Sequence, residues 1–267
     1  MLVHRAVVVL FAALAAMTTA CGAAVISPGR PAGTSPSVDK TTTPATVTAD
    51  PVRPDPRIGA IFLGGYSMHT CTASVVHSTN GDLIITAAHC MADGVETYFA
   101  PGFAETVDPR DMWHIDAVYL DPRWVANQDP LADFAIARVS SAGGGAVEAS
   151  VGGGFDVGST PRVGTDVAVT GYALGDGGVP VGCTARVSGL ERGYPTVKCA
   201  GLVDGTSGGP WLAGSTVVGL TGGLEGGGCE ANVSYTSPFD GAITQLLTRA
   251  EAGGPADTAP PAFEDDC

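Results

Sequence analysis

Apolar residues recur along this chain in short runs broken by turn residues. The first run, Ala6–Met17, is unbroken but too short to span a bilayer. From Cys21 to about Pro56 the chain is Pro, Thr, Ser, Ala and Gly with no apolar period, a composition that cannot bury a core. From Ile58 the pattern becomes that of short β-strands. Ile58–Leu63, Thr72–His77 and Leu83–Thr86 come first, with Thr79-Asn80-Gly81-Asp82 as a hairpin turn between the second and third. His114–Leu120 carries Ile115, Ala117 and Tyr119 on one face and Val118 and Leu120 on the other, and Phe134–Val139 alternates in the same way. Asp166–Thr170, Cys183–Leu190, Tyr194–Ala200, Trp211–Leu212 and Thr216–Leu220 form a second set, separated from the first by the Gly-, Ser- and Ala-rich stretch 141–154. A helix is expected near the end, where Ile243, Leu246, Leu247 and Ala250 repeat at helical spacing before Gly253-Gly254-Pro255 stops it. The fold class is therefore all-β with a C-terminal helix.

Composition refines this picture. Of 267 residues only 15% are charged and 38 are glycine, which suits short strands and tight turns. The formal net charge of −14 argues against nucleic acid and anionic lipid headgroups as partners. A short basic start, the apolar run and small residues at Thr18-Thr19-Ala20 read as an export signal, which puts the chain in an oxidising compartment outside the cell or at its surface. The 7 cysteines are then bridges plus one leftover. Cys183 and Cys199 lie equidistant from Glu191 across a hairpin turning at Leu190–Gly193, as opposed cross-strand residues would, and are expected to pair.

Three stretches carry chemistry. In Thr86-Ala87-Ala88-His89-Cys90 a strand ends in small residues that let other backbone pass close to a histidine. Asp133 stands at the mouth of an alternating strand, where a carboxylate could select the tautomer of His89. In Asp204-Gly205-Thr206-Ser207-Gly208-Gly209-Pro210 glycines on both sides of Ser207 permit a strained turn, and the N–H groups of Gly205 and Ser207 could form an oxyanion hole.

These stretches, in the order His, Asp, Ser, resemble the chymotrypsin/trypsin family of serine proteases. The histidine motif matches in full, and the serine motif matches except at Thr206. The likeness extends over about Ile58–Ala250, and the short loops look most like secreted bacterial members. The resemblance implies two six-stranded antiparallel β-barrels with a catalytic triad of His89, Asp133 and Ser207 between them, a protein or peptide substrate, no metal and no cofactor. It also implies a Cys71–Cys90 bridge beside the histidine. The chain is expected to act as a monomer. The expected organisation is a signal peptide over 1–20, a disordered tether over 21–56, the peptidase domain over 57–252 with its barrels dividing near 141–154, and an acidic tail over 253–267.

Two departures from the family matter. Thr206 replaces the aspartate that pairs with a newly cut N-terminus in digestive members, so Arg57-Ile58 is not expected to be an activation site. Gly201 stands six residues before Ser207, where trypsin-like members carry an aspartate, so cleavage after Lys or Arg is not expected. The specificity pocket is expected to comprise Gly201, Thr221, Gly222 and Gly223. Cys229 is expected to pair with Cys267, the rival being Cys199–Cys229. Cys21 is then the odd cysteine, either acylated as a lipid anchor or left behind by an ordinary signal peptidase. Two further functions stay open at this stage: a catalytically silent binding module on the same fold, and an esterase using the same serine.

Overall fold

The computed structural model describes residues 47–230 and 232–261. Strands β1 (Val47–Thr48), β2 (Asp50–Pro51), β3 (Ile58–Leu63), β4 (His69–Val75), β5 (Leu83–Thr86), β6 (Thr97–Pro101), β7 (Trp113–Leu120) and β8 (Ala135–Ser140) occupy the first half. The second half holds β9 (Asp156–Val157), β10 (Asp166–Gly171), β11 (Val181–Glu191), β12 (Tyr194–Val197), β13 (Cys199–Ala200), β14 (Pro210–Ala213), β15 (Thr216–Leu220) and β16 (Ser234–Tyr235). The α-helices are α1 (Pro122–Asn127), α2 (Val147–Val151) and α3 (Gly241–Glu251).

The first set closes into a six-stranded barrel in the order β3-β4-β5-β8-β7-β6. Period-2 alternation explains how one strand serves two cores. Ile58, Ala60 and Phe62 of β3, Leu83 and Ile85 of β5 and Ile136 of β8 pack with Phe155, Tyr172, Leu220, Phe239 and α3. Their neighbours Ile61, Ile84, Ala135 and Ala137 join Val75, Phe99 and Leu120 in a separate cluster fed by every barrel strand, the barrel interior. Both faces are buried, so these strands read as almost continuous apolar runs. Strand β6 had no equivalent in the sequence reading: Thr97–Pro101 ends in proline, yet it pairs with both β3 and β7.

The second set departs from expectation. It forms an open sheet, β16-β12-β11-β10-β14-β15-β9 with β2 added on β11, and not a second closed barrel. The strands at both ends of this order, Asp156–Val157 and Ser234–Tyr235, are two residues long.

The tether also ends earlier than expected. Val47 and Thr48 pair in parallel with Cys199 and Ala200, and Asp50 and Pro51 pair with Gly182 and Val181. Ladder bonds use only backbone groups, so a polar segment without apolar period can still be held as strand. The acidic tail is likewise bound as far as the described residues reach: the Asp257 amide donates to Val118 O at 2.9 Å, its carboxylate accepts from the Leu120 amide at 2.7 Å and from Arg249, and Ala259 is buried against the first barrel. Helix α3 follows its sequence signals. Asp240 caps the Ala242 amide at 2.8 Å, and Ile243, Leu246 and Ala250 face the barrel. The signal segment, Cys21 and Cys267 lie outside the described residues.

Candidate active site

His89 sits in a 3₁₀ turn, Ala88–Cys90, immediately after β5. Ala87 and Ala88 are fully buried, and a Cys71–Cys90 disulfide with Cα atoms 6.0 Å apart ties the turn to β4. Cys71, His89 and Cys90 place their ligand atoms within 4.8 Å of one another, but both sulfurs belong to the disulfide and offer no thiolate to a metal. Cys183 and Cys199 are joined as well, with Cα atoms 6.7 Å apart. Cys229 is disulfide-bonded, so Cys199–Cys229 is not formed, and the partner expected for Cys229 lies outside the described residues.

Asp133 follows the turn Pro130–Ala132 and is 2% exposed. Its Oδ2 lies 2.7 Å from His89 Nδ1 and accepts from the Gly223 amide at 2.7 Å, while Oδ1 accepts from the His89 backbone amide at 2.9 Å. Burial by itself would raise the Asp133 carboxyl. The neighbouring His89 charge and these hydrogen bonds outweigh it and hold the pKa below the ordinary carboxylate value. A carboxylate only accepts, so Nδ1 is assigned as the protonated nitrogen and Nε2 as the acceptor.

Ser207 lies in the turn before β14 and donates a long hydrogen bond to Gly226 O at 3.5 Å. Gly208 holds this turn against the histidine turn. Its φ is +77°, and a side chain there would run into the Thr72 carbonyl and the Thr86 hydroxyl and lie 2.9 Å from the Ala87 amide nitrogen. The amides of Thr206, Gly208 and Gly209 donate to Val203 O, Thr221 O and Thr206 O at 3.0, 2.8 and 2.9 Å. Those of Gly205 and Ser207 have no acceptor among the described residues. A trans peptide points its C=O and N–H in opposite directions. The Leu174 amide holds Asp204 O at 2.7 Å and the Gly209 amide holds Thr206 O at 2.9 Å, so the Gly205 and Ser207 N–H groups are aimed the other way. Gly205 is at φ +89° and packs directly on the backbone of Leu174, a position only glycine fills without strain.

Sequence reasoning missed Thr72. This fully buried residue of β4 donates from its amide to Ser207 O at 2.7 Å and from its hydroxyl to Gly205 O at 3.0 Å, and it accepts from the Tyr172 amide at 2.8 Å. It bonds the first barrel to the serine turn. A lone Thr beside a cysteine carries no signal of this.

The pocket residues divide. A cavity of about 60 Å³ beside Ser207 is lined by Thr221, Thr206, the 202–204 stretch and the 225–228 stretch. Of the four residues expected there, only Thr221 is on its wall. Gly223 points its amide at Asp133, a side chain on Gly222 would meet Asp133 Oδ2 at 2.8 Å, and Gly201 faces Ala49 of the N-terminal strand pair at 3.5 Å. The 225–228 stretch lines the cavity where Gly201, Gly222 and Gly223 do not.

Residues 71–220 match the family description of a trypsin-like peptidase domain. The chain belongs to the trypsin-like peptidase family. It is a serine-type endopeptidase, a hydrolase of peptide bonds. The fold is shared with the protease Anisep from Arthrobacter nicotinovorans, at 22% identity over 77% of this chain and all of that one, with a TM-score of 0.65. A thermostable serine protease, AL20, from an extremophilic microorganism gives 23% identity over 74% of this chain and 98% of that one, with a TM-score of 0.62. A Glu endopeptidase in complex with MPD gives 15% identity over 79% and 100%, with a TM-score of 0.61. No curated protein sequence matches the chain.

Proposed function

We propose that this peptidase works through an acyl-enzyme on Ser207, with His89 as general base and Asp133 as the group that orients it. Ser207 Oγ attacks the scissile carbonyl carbon while His89 Nε2 takes its proton. The Gly205 and Ser207 amides hold the oxyanion that develops. The C–N bond then breaks, His89 passes the proton to the leaving amine, and water attacks the acyl-enzyme by the same route to release the acid. The observation that carries this reading is the buried Asp133 carboxylate, which takes N–H donors from the His89 ring, the His89 backbone and Gly223. A silent binding module would gain nothing from the two donor amides of Gly205 and Ser207 left without protein acceptors.

Titration with a phosphonate-type serine reagent tests the reading directly. One equivalent should bind at Ser207 and stop hydrolysis, and an inert serine would return the molecule to the silent-module reading. A peptide library separates peptidase from esterase. Only neutral imidazole accepts the Ser207 proton, so the rate should climb with pH as His89 loses its proton. A flat rate between about pH 5 and 8 would remove His89 from the role.

Activation is proposed to need no cut at Arg57-Ile58. The buried Thr206 hydroxyl donates to Val203 O at 2.7 Å, a partner that asks for no ammonium. The Ile58 amide donates to Asp55 O at 3.0 Å, and Arg57 is held by Asp55 and lies over Phe155. An Arg57→Gln chain should match the parent within about twofold in kcat/KM, and a chain starting at Ile58 should gain nothing and lose thermal stability with β1 and β2. Activity that appears only after cleavage at this bond would overturn the proposal.

Export is supported by the disulfides, which persist in oxidising compartments. Anchoring through an acylated Cys21 is the proposed fate of the N-terminus. Mass analysis of the N-terminal peptide decides it, since an unmodified N-terminus at or after Cys21 would exclude the anchor.

A further inference from the structure

We infer that the peptidase selects a small, uncharged side chain on the residue whose carbonyl it attacks: alanine, serine or glycine, with valine at the limit. The inference rests on the acyl-enzyme reading, because it takes the cavity beside Ser207 as the place where that side chain goes.

Size is the first ground. The cavity holds about 60 Å³. About 150 Å³ accommodates a benzene ring, so a ring or a long cationic chain does not fit. What keeps the space small is built into its walls. On one side the Thr221 hydroxyl accepts from the Trp211 indole N–H at 3.3 Å, and its methyl lies 3.0 Å from where a side chain on Gly227 would begin. Gly201 is not on this wall and turns to Ala49. The 225–228 stretch lines the other side. Its four residues all have positive φ, from 52° at Glu225 to 126° at Gly228, and the Gly226 carbonyl reaches the Ser207 hydroxyl. Glu225 is the non-glycine residue among them, and Arg192 at the tip of the β11–β12 hairpin holds its carboxylate at 2.5 Å.

Charge is the second ground. The ionisable side chains on the wall are Asp204 and Glu225, both acidic, and no basic side chain lines the cavity among the described residues. An acidic substrate side chain would lose its hydration and meet the like charge of Asp204, Glu225 being paired with Arg192. A lysine or arginine would find the right sign but not the length of space its stem needs. Small uncharged side chains remain. The substrate class is therefore protein segments that present one small uncharged residue just before the cleaved bond.

The test is a set of tetrapeptide amides that differ only in the residue before the cleaved bond: Gly, Ala, Val, Phe, Lys and Glu. Alanine should exceed Phe, Lys and Glu by at least about tenfold in kcat/KM, the lower end of what a difference in side-chain size is worth at a fitted site. A preference for Phe, Lys or Glu would overturn the inference. Thr221→Ser removes one methyl and keeps the hydroxyl for Trp211, so it should raise the valine-to-alanine ratio several-fold. An unchanged ratio would show that the cavity is not where the side chain sits. Phosphonates carrying alanine-like and phenylalanine-like side chains separate the two levels of the argument. Faster labelling of Ser207 by the larger reagent overturns the size preference alone, and no labelling by either overturns the acyl-enzyme reading with it.

Discussion

Ser207→Ala should lower peptide hydrolysis by on the order of 10⁶-fold, the scale of loss when the serine of a serine–histidine unit is removed. Stability should hardly change. Among the described residues the hydroxyl makes one long hydrogen bond, to Gly226 O at 3.5 Å, and the turn is held by its backbone: Thr72 bonds Ser207 O, Leu174 bonds Asp204 O and Gly209 bonds Thr206 O. The residue is small and the substitute is smaller, so no neighbour must move. The measurement is kcat on a peptide substrate next to a thermal melt of the same sample. Hydrolysis near the parent rate by a folded Ser207→Ala protein would refute the mechanism. Loss of both activity and fold would instead show that the hydroxyl is structural.

Asp133→Asn should lower kcat by about 10⁴-fold, because an amide can donate to His89 Nδ1 and so favours the wrong tautomer. It should also change the response to acid. The Asp133 pKa is depressed in the folded state, so the unfolded chain binds the proton more readily. Stability from this carboxylate is therefore fully present above the ordinary value of 3.8 and is lost as pH falls through the lower folded value. Acid unfolding of the parent should carry this component below about pH 3.8, and Asp133→Asn should lack it. The substitution also leaves the His89 and Gly223 amides facing a group that is only half acceptor, so some loss of stability at neutral pH is expected too. Steady-state kinetics and melts on both proteins read these effects, in a window from about two units below the ordinary carboxylate value up to neutral pH. Parent-like turnover in the variant would remove Asp133 from the triad.

The residues of this site differ in how plainly they could be read. His89 and Ser207 sit in local motifs, since the small residues before one and the glycines around the other are needed within a few positions of the functional group. The Cys183–Cys199 bridge was expected from the β11–β12 hairpin, but on a centre at Glu191 that the structure moves: Glu191 lies opposite Tyr194, so the turn is Arg192-Gly193, and the two cysteines are joined without being directly opposed across it. Asp133 was weaker, because an aspartate ahead of a strand is common and its meaning depends on what His89 and Gly223 bring to it. Thr72 was invisible. Its hydroxyl acts on Gly205, 133 positions away, and its own neighbours say nothing of that contact.

The chain's own order of residues determined the β class, the C-terminal helix, the strand faces and the position of the two reactive motifs. Each of these rests on spacing within a few residues: period 2 for strands, 3.6 for the helix, and adjacent glycines for the serine turn. Tertiary structure decided the rest. It gave the second set of strands, among the described residues, a pairing order that ends in the two-residue strands Asp156–Val157 and Ser234–Tyr235, with closure into a second barrel not seen. It recruited residues 47–51 to that sheet, because backbone pairing is indifferent to the polarity that marked them as tether. It turned Gly201 to Ala49 and gave the pocket wall to the 225–228 stretch. Contacts of this kind join residues far apart in the chain, and hydrogen bonds between backbone groups carry no side-chain signature.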